Sequence, residues 1–210
     1  MVTLLLASRS ADKAREIREI LAPSGVTVLS LDDAHIAWRE AEERIEDADS
    51  FLGNARAKAE YFARLSGLPT VADDSGLEVV SLGGAPGARS KRFATDAAAL
   101  SGKDLDAANN AELLRRLLGA PESRRRASYA CVAVLLRGHG ALPEVFTGRC
   151  WGRVVEGPRG TGGFGYDPLF FHEGLGKTFG EATAEEKHGV SHRGAAFREL
   201  AAALAARPLV

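Results

Sequence analysis

The ten residues Ala127-Ser128-Tyr129-Ala130-Cys131-Val132-Ala133-Val134-Leu135-Leu136 constrain the fold most, because they are apolar on both alternating faces. Successive side chains of a strand point to opposite sides, so such a run reads as a central strand covered above and below. A chain of 210 residues, 45% hydrophobic and 26% charged, can build one substantial core or two lobes sharing a sheet. No internal repeat, linker or break in composition divides it, so residues 1–210 are expected to form a single domain.

Upstream, residues 2–7 read as a short buried strand, and Ser8-Arg9-Ser10 leads into a helix whose Ile17, Ile20 and Leu21 share a face before Pro23-Ser24-Gly25 ends it. A hydroxyl-rich turn at a helix start offers free backbone N–H groups and the positive end of the helix dipole to an anion, and Lys13 adds a charge. Ser10 acting only as a helix cap accounts for the same residues. Residues 32–49 are acidic and irregular. Ser50 then precedes a helical run in which Leu52, Ala55, Ala59 and Phe62 stack, closed by Gly67 and Pro69. Asn54, Arg56 and Lys58 read as its solvated face, as do most acids of residues 40–46, leaving one of those acids able to swing into a metal site.

Val71-Ala72-Asp73-Asp74-Ser75-Gly76-Leu77-Glu78-Val79-Val80 places two carboxylates and a hydroxyl between apolar runs. Two like charges ~6 Å apart at an effective dielectric of ~20 repel by roughly 2–3 kcal/mol, a cost that a bound cation would offset. Two readings are open: a metal or acid–base site, or a polar turn with Ser75-Gly76 as turn residues. In extended structure the two aspartates would point to opposite faces. Gly83-Gly84-Ala85-Pro86-Gly87 reads as a rigid turn, followed by Ser90-Lys91-Arg92, whose cations suit either phosphate or solvent. A helix is expected over 104–118, with Leu114, Leu117 and Leu118 as its core edge and nothing chemical in it. Arg137-Gly138-His139-Gly140 can turn the central strand into a hairpin with a strand around 145–151, with His139 solvated at the tip.

Residues 157–167, Gly-Pro-Arg-Gly-Thr-Gly-Gly-Phe-Gly-Tyr-Asp, match neither the dinucleotide nor the Walker glycine fingerprint, since the strand-like Leu169-Phe170-Phe171 follows instead of a helix. Glycines interleaved with Phe164 and Tyr166 suit a loop whose backbone approaches a flat ligand while a ring stacks on it. Ser191 is a plausible cap for a last helix with Phe197, Leu200 and Leu204 facing the core. His192 and Arg193 then fall in its first turn, where cations oppose the helix dipole unless they meet an anion or a base edge.

The net charge of −1 makes no global electrostatic case for nucleic acid or an anionic membrane, and no apolar stretch approaches the ~20 residues of a membrane span. Residues 1–7 are a short apolar run followed at once by a charged helix pattern, so no signal peptide is expected and the cytoplasm is the expected compartment. Cys131 and Cys150 lack zinc or dithiol spacing and read as buried, reduced thiols.

Six segments, in order, resemble the inosine triphosphate pyrophosphatase family over almost the whole chain. They are Ser8 to Lys13, Phe51-Leu52-Gly53-Asn54-Ala55-Arg56-Ala57-Lys58-Ala59, Ala72-Asp73-Asp74-Ser75-Gly76-Leu77, Gly84-Ala85-Pro86-Gly87, Phe164-Gly165-Tyr166-Asp167-Pro168, and Glu186-Lys187 through Ser191-His192-Arg193. The resemblance implies an α/β fold with a long, curved, mixed central sheet flanked by helices and two lobes around a nucleotide cleft. It also implies a homodimer, dependence on Mg2+, and conversion of dITP, ITP or XTP to the monophosphate and pyrophosphate. By position, Ser8, Arg9, Ser10, Ala11, Asp12 and Lys13 would hold the triphosphate. Glu46 and Asp74 would bind magnesium, and Asp74 would also accept the proton of the attacking water. Ser75 would touch the nucleotide, Phe164, Gly165, Tyr166, Asp167 and Lys187 would form the nucleoside pocket, and His192 and Arg193 would read the base. Asp73 would orient its neighbours or a nearby cation.

Magnesium commonly takes one or two carboxylates plus substrate phosphates, which fits that assignment. Donors facing the 6-keto oxygen would select hypoxanthine or xanthine, because the amino group of adenine leaves them unpaired. The chain departs from the family at the first turn, with Ser10 where Asn is usual and Arg9 where Gly is usual. Its Leu-Ala-Ser-x-Ser start is also similar to Maf-type nucleotide pyrophosphatases, which lack counterparts to the glycine block and Ser191-His192-Arg193. A non-catalytic nucleotide sensor on the same fold is the remaining alternative.

Overall fold

The computed structural model describes residues 3–95, 99–138 and 140–209; Val2 and His139, both read above from the sequence, lie outside them. Seven strands form one mixed sheet in the order β2-β1-β3-β4-β5-β6-β7. They are β1 (Thr3–Leu6), β2 (Thr27–Leu29), β3 (Thr70–Val79), β4 (Arg126–Leu136), β5 (Glu144–Val154), β6 (Phe170–His172) and β7 (Lys177–Thr178). β1 pairs in parallel with β2 and β3, whereas β5, β6 and β7 pair antiparallel in turn. The helices are α1 (Ala11–Leu21), α2 (Phe51–Ser66), α3 (Gly102–Arg116), α4 (Ala184–Val190) and α5 (His192–Ala206).

The chain divides into two compact units: Met1–Asp74, Cys131–Gly148 and His192–Val210 form the first, Ser75–Ala130 and Arg149–Ser191 the second. In the first unit, strand alternation feeds two cores. Leu4, Leu6, Val71, Cys131, Ala133 and Leu135 pack with α1 and α5, while Leu5, Ala7, Ala72, Val134 and Leu136 pack with α2. This is the two-sided cover that the apolar run of β4 requires. Burying both faces at about 25 cal/mol per Å2 of apolar surface is the main force holding the layers together. The caps agree with the sequence: Ser10 accepts from the Lys13 N–H and Ser50 from the Gly53 N–H, and Gly67, at φ +69°, ends α2 in the left-handed region.

In the second unit, Leu77, Val79, Leu113, Leu117, Tyr129, Phe170 and Phe179 belong to a single core, with the Tyr129 and Phe170 rings 4.8 Å apart. One of two open readings falls, and two local expectations change. Asp73-Asp74-Ser75-Gly76 is not a turn but the middle of β3, and Gly76 is needed because a Cβ there would lie 2.5 Å from the Gly87 carbonyl oxygen. Helix α3 ends at Arg116 rather than 118, where the Arg125 guanidinium takes the Leu117 and Ala120 carbonyls, and Leu118 is 86% exposed instead of lining the core. Leu52, in the first turn of α2, is likewise exposed. Cys131 and Cys150 are buried free thiols, as expected, and burial pushes the Cys150 thiol up to about 12.

Candidate active site

The strand parity that sorts the two cores also sorts the aspartates. Asp73 shares the side of Val71 and meets α1 and α5; Asp74 shares the side of Ala72 and meets α2. Asp73 is fully buried, with Lys13 Nζ at 3.1 Å and Arg193 Nη2 at 3.4 Å from its Oδ2, and Arg193 also donates to Glu16 Oε2 at 2.5 Å. Burial works against the Asp73 charge, yet Lys13, Arg193 and Lys58 together hold its carboxyl far below the usual range. The conflict between Arg193 and its helix dipole is thereby answered by two carboxylates. This differs from the expectation that Arg193 reads a base edge, since its guanidinium is 2% exposed and engaged with Glu16 and Asp73. His192 is buried as well.

On the other face, Asp74 Oδ2 accepts from Asn54 Nδ2 at 3.0 Å, and Asn54 Oδ1 accepts from the Ala48 N–H at 2.9 Å. Lys58 Nζ lies 2.5 Å from Glu46 Oε1, 2.6 Å from the Asp73 carbonyl oxygen and 3.8 Å from Asp74 Oδ1. Burial raises the Asp74 pKa, with Lys58, Lys13 and Asn54 pulling against it. A raised pKa makes the ionised carboxylate a better proton acceptor. For Lys58, the attraction of Glu46, Asp74 and Asp73 outweighs burial, so the ammonium stays charged.

The turn between β1 and α1 is closed by a hydrogen bond from the Ser10 N–H to Ser8 Oγ at 3.2 Å, and Ser10 Oγ is used by the Lys13 N–H. The serine is therefore spent on its cap in this structure, and Ala11 and Asp12 open the helix behind it. The Arg9 side chain turns to Glu42, with N–O distances of 2.9 and 2.8 Å, so it is held by an acid of the short 3-10 helix Glu40–Arg44.

In the second unit, Asp167, 2% exposed, accepts from the Phe164 N–H at 2.9 Å and from Tyr129 Oη at 3.3 Å, and forms an ion pair with Lys187. The Lys187 ammonium sits 4.9 Å from the centre of the Phe164 ring. Gly163, at φ +68°, admits this arrangement, because a Cβ would lie 2.1 Å from Asp167 Oδ2. Gly165 is clamped by α3, its N–H donating to Asp106 at 2.7 Å and its carbonyl accepting from Asn110 at 3.0 Å. Tyr166 is not a free stacking ring: it is 4% exposed and donates to the Ser90 carbonyl at 2.7 Å. Phe164 is the half-buried ring of the loop, and Ser75 is half-buried on β3.

The model of the Ham1 family matches residues 4–203. The chain belongs to the Ham1 family. It is 46% identical over 206 residues to the dITP/XTP pyrophosphatase of Aromatoleum aromaticum, covering 98% of both chains, and 42% identical over 219 residues to that of an Anaeromyxobacter species, covering 94% of both. Among solved structures, it is similar to a HAM1 protein from Coxiella burnetii, with a TM-score of 0.82, 33% identity and 97% and 98% of the two chains covered. The Ham1 protein of Staphylococcus aureus gives a TM-score of 0.78 at 32% identity, with 96% and 97% covered.

Within this Ham1-family chain, sequence reading missed Asn54, Lys58, Glu16, Asp106 and Asn110. Asn54 and Lys58, read as solvated, are 1% and 7% exposed. The available signal was their spacing of four residues on the flank of the Ala55, Ala59 and Phe62 arc, which marks two polar residues turned partly inward. Nothing in α3 itself advertises Asp106 or Asn110, because their partner is a backbone 55 or more residues away.

Proposed function

We propose that this chain hydrolyses non-standard purine nucleoside triphosphates, dITP, ITP and XTP, to the monophosphate and pyrophosphate, removing them before they enter DNA or RNA. Family membership and the names of its relatives support the reaction class. The observation that carries the mechanism is the convergence of Glu46 and Asp74 on a single cation, the Lys58 ammonium. Two carboxylates on one positive charge are a fit donor set for a divalent ion whose remaining ligands are phosphate oxygens and water. That ion, Mg2+ in this reading, supplies charge neutralisation at the phosphates.

Everything else is assigned to the chain. Lys13, oriented by Asp73, and the segment Ser8, Arg9, Ser10, Ala11 and Asp12 at the start of α1 bind the triphosphate. Asp74 takes a proton from water as the water oxygen bonds to phosphorus and the phosphoanhydride oxygen departs with pyrophosphate. Ser75, Phe164, Gly165, Tyr166, Asp167 and Lys187 serve the nucleoside, with Phe164 offering the ring and Tyr166 holding the loop. His192 lies beside Arg193, which braces Asp73. The resemblance further supports one domain over 1–210, a homodimer and a cytoplasmic place of work; no described helix is long and apolar enough to cross a membrane.

The test is incubation with ITP, ATP and GTP plus Mg2+ and resolution of the products. Pyrophosphate with IMP, at a rate well above that on ATP and GTP, is expected. Orthophosphate with IDP, or equal rates on all three, would overturn the reading.

A further inference from the structure

We propose that Lys58 is the resident cation of the Glu46 and Asp74 site, holding both carboxylates in register until a divalent ion takes over their charge. The inference rests on the divalent-ion reading above. Lys58 reaches the site from α2 with a side chain only 9% exposed, and its ammonium is 2.5 Å from Glu46 Oε1 and 3.8 Å from Asp74 Oδ1. Its third partner is the Asp73 carbonyl oxygen, at 2.6 Å. An ammonium has three donors and no acceptor. One donor is tied to the backbone of β3, so the charge stays beside the two acids even if they turn elsewhere.

Glu46 comes from an irregular segment with a side chain 37% exposed, whereas Asp74 is fixed on β3 at 11%. Without a cation, Asp74 and Glu46 repel, and the more exposed partner, Glu46, is the one with space to turn away. Lys58 removes that repulsion. The same charge must oppose a divalent ion placed between the acids, because like charges at this range repel strongly in a partly buried site. Lys58 is therefore a positioning residue with two opposed effects: it keeps the ligands together, and it weakens ion binding in the nucleotide-free protein. Substrate phosphates relieve the conflict by giving the ammonium a new anion, so ion and nucleotide would bind with positive coupling.

The experiment is calorimetric titration of MgCl2 into nucleotide-free wild-type protein and into Lys58→Met, with Lys58→Gln as the variant that retains a donor for the Asp73 carbonyl. Thermal unfolding is followed in parallel in EDTA and in Mg2+. The expected result is at least tenfold tighter Mg2+ binding in Lys58→Met than in wild type, with a melting temperature lower in EDTA and restored by Mg2+. In EDTA, Glu46→Gln should destabilise wild type but stabilise Lys58→Met, since the repelling acid is removed. Equal or weaker Mg2+ binding in the methionine and glutamine variants, or no binding heat in any of the proteins, overturns the proposal. Should wild type fail to hydrolyse ITP, the functional reading falls, while the role of Lys58 is still decided by the titration.

Discussion

The two units handle buried charge in different ways. The first collects Glu16, Lys58, Asp73, Asp74 and Arg193 below 10% exposure, each acid facing a cation and each cation sharing more than one acceptor. Among its described residues, the second buries the pair Asp167 and Lys187 among aromatic rings and backbone donors, and Arg125 among backbone carbonyls. A network spreads the loss of one member over the rest, whereas an isolated pair concentrates it on the partner left behind. Under the proposed function, the first arrangement would serve the phosphates and a metal ion and the second the nucleoside.

The largest expected effect comes from the acid on the α2 side. Asp74→Asn should lower kcat by roughly 10²- to 10⁴-fold with the fold retained, as measured by pyrophosphate release and circular dichroism. Asp73→Asn, which leaves the proton acceptor in place, should be milder in kcat. A reversal of that order would mean that the two faces of β3 have been given the wrong roles. Next, Lys187→Met should destabilise the protein by about 3–5 kcal/mol in urea unfolding, because Asp167 is left charged and buried. A loss below about 1 kcal/mol would show that the Phe164 N–H and Tyr129 hydroxyl suffice for Asp167.

The smallest effect sharpens the network. Asn54 stabilises the charged form of Asp74, opposing the upward push of burial. Removing the amide in Asn54→Ala favours the protonated acid, so the acid limb of the kcat/KM profile should move to higher pH. At the alkaline plateau, the loss should be of order tenfold, the worth of one hydrogen bond to a charged group at the low end of its range, about 1.5 kcal/mol. An unmoved acid limb would show that another group sets it.

Much of the site was legible because its signals are local. Adjacent aspartates between apolar runs, a capped helix after a hydroxyl-rich turn, and a glycine block with aromatics are each contained within about a dozen residues. Alternation along a strand was enough to send Asp73 and Asp74 to opposite sides, and the apolar run of β4 was enough to require cover on both faces. Those features follow from backbone stereochemistry and the cost of exposing apolar surface, which any reading of the chain can apply.

Which polar residues turn inward depends on contacts between distant segments. Lys58 looks like a solvated lysine until Glu46, 12 residues earlier, and the Asp73 carbonyl, 15 residues later, close on its ammonium. Arg193 looks like a surface reader until Glu16, 177 residues away in sequence, and Asp73 take its guanidinium. Tyr166 becomes a buried tether by donating to the Ser90 carbonyl. A charged or polar side chain is stable in the interior only when its partners arrive with it, and those partners are supplied by distant segments. Alternation and apolar patterning set the layers and the side of the sheet each aspartate faces; the assembled fold chose which cations are buried beside them.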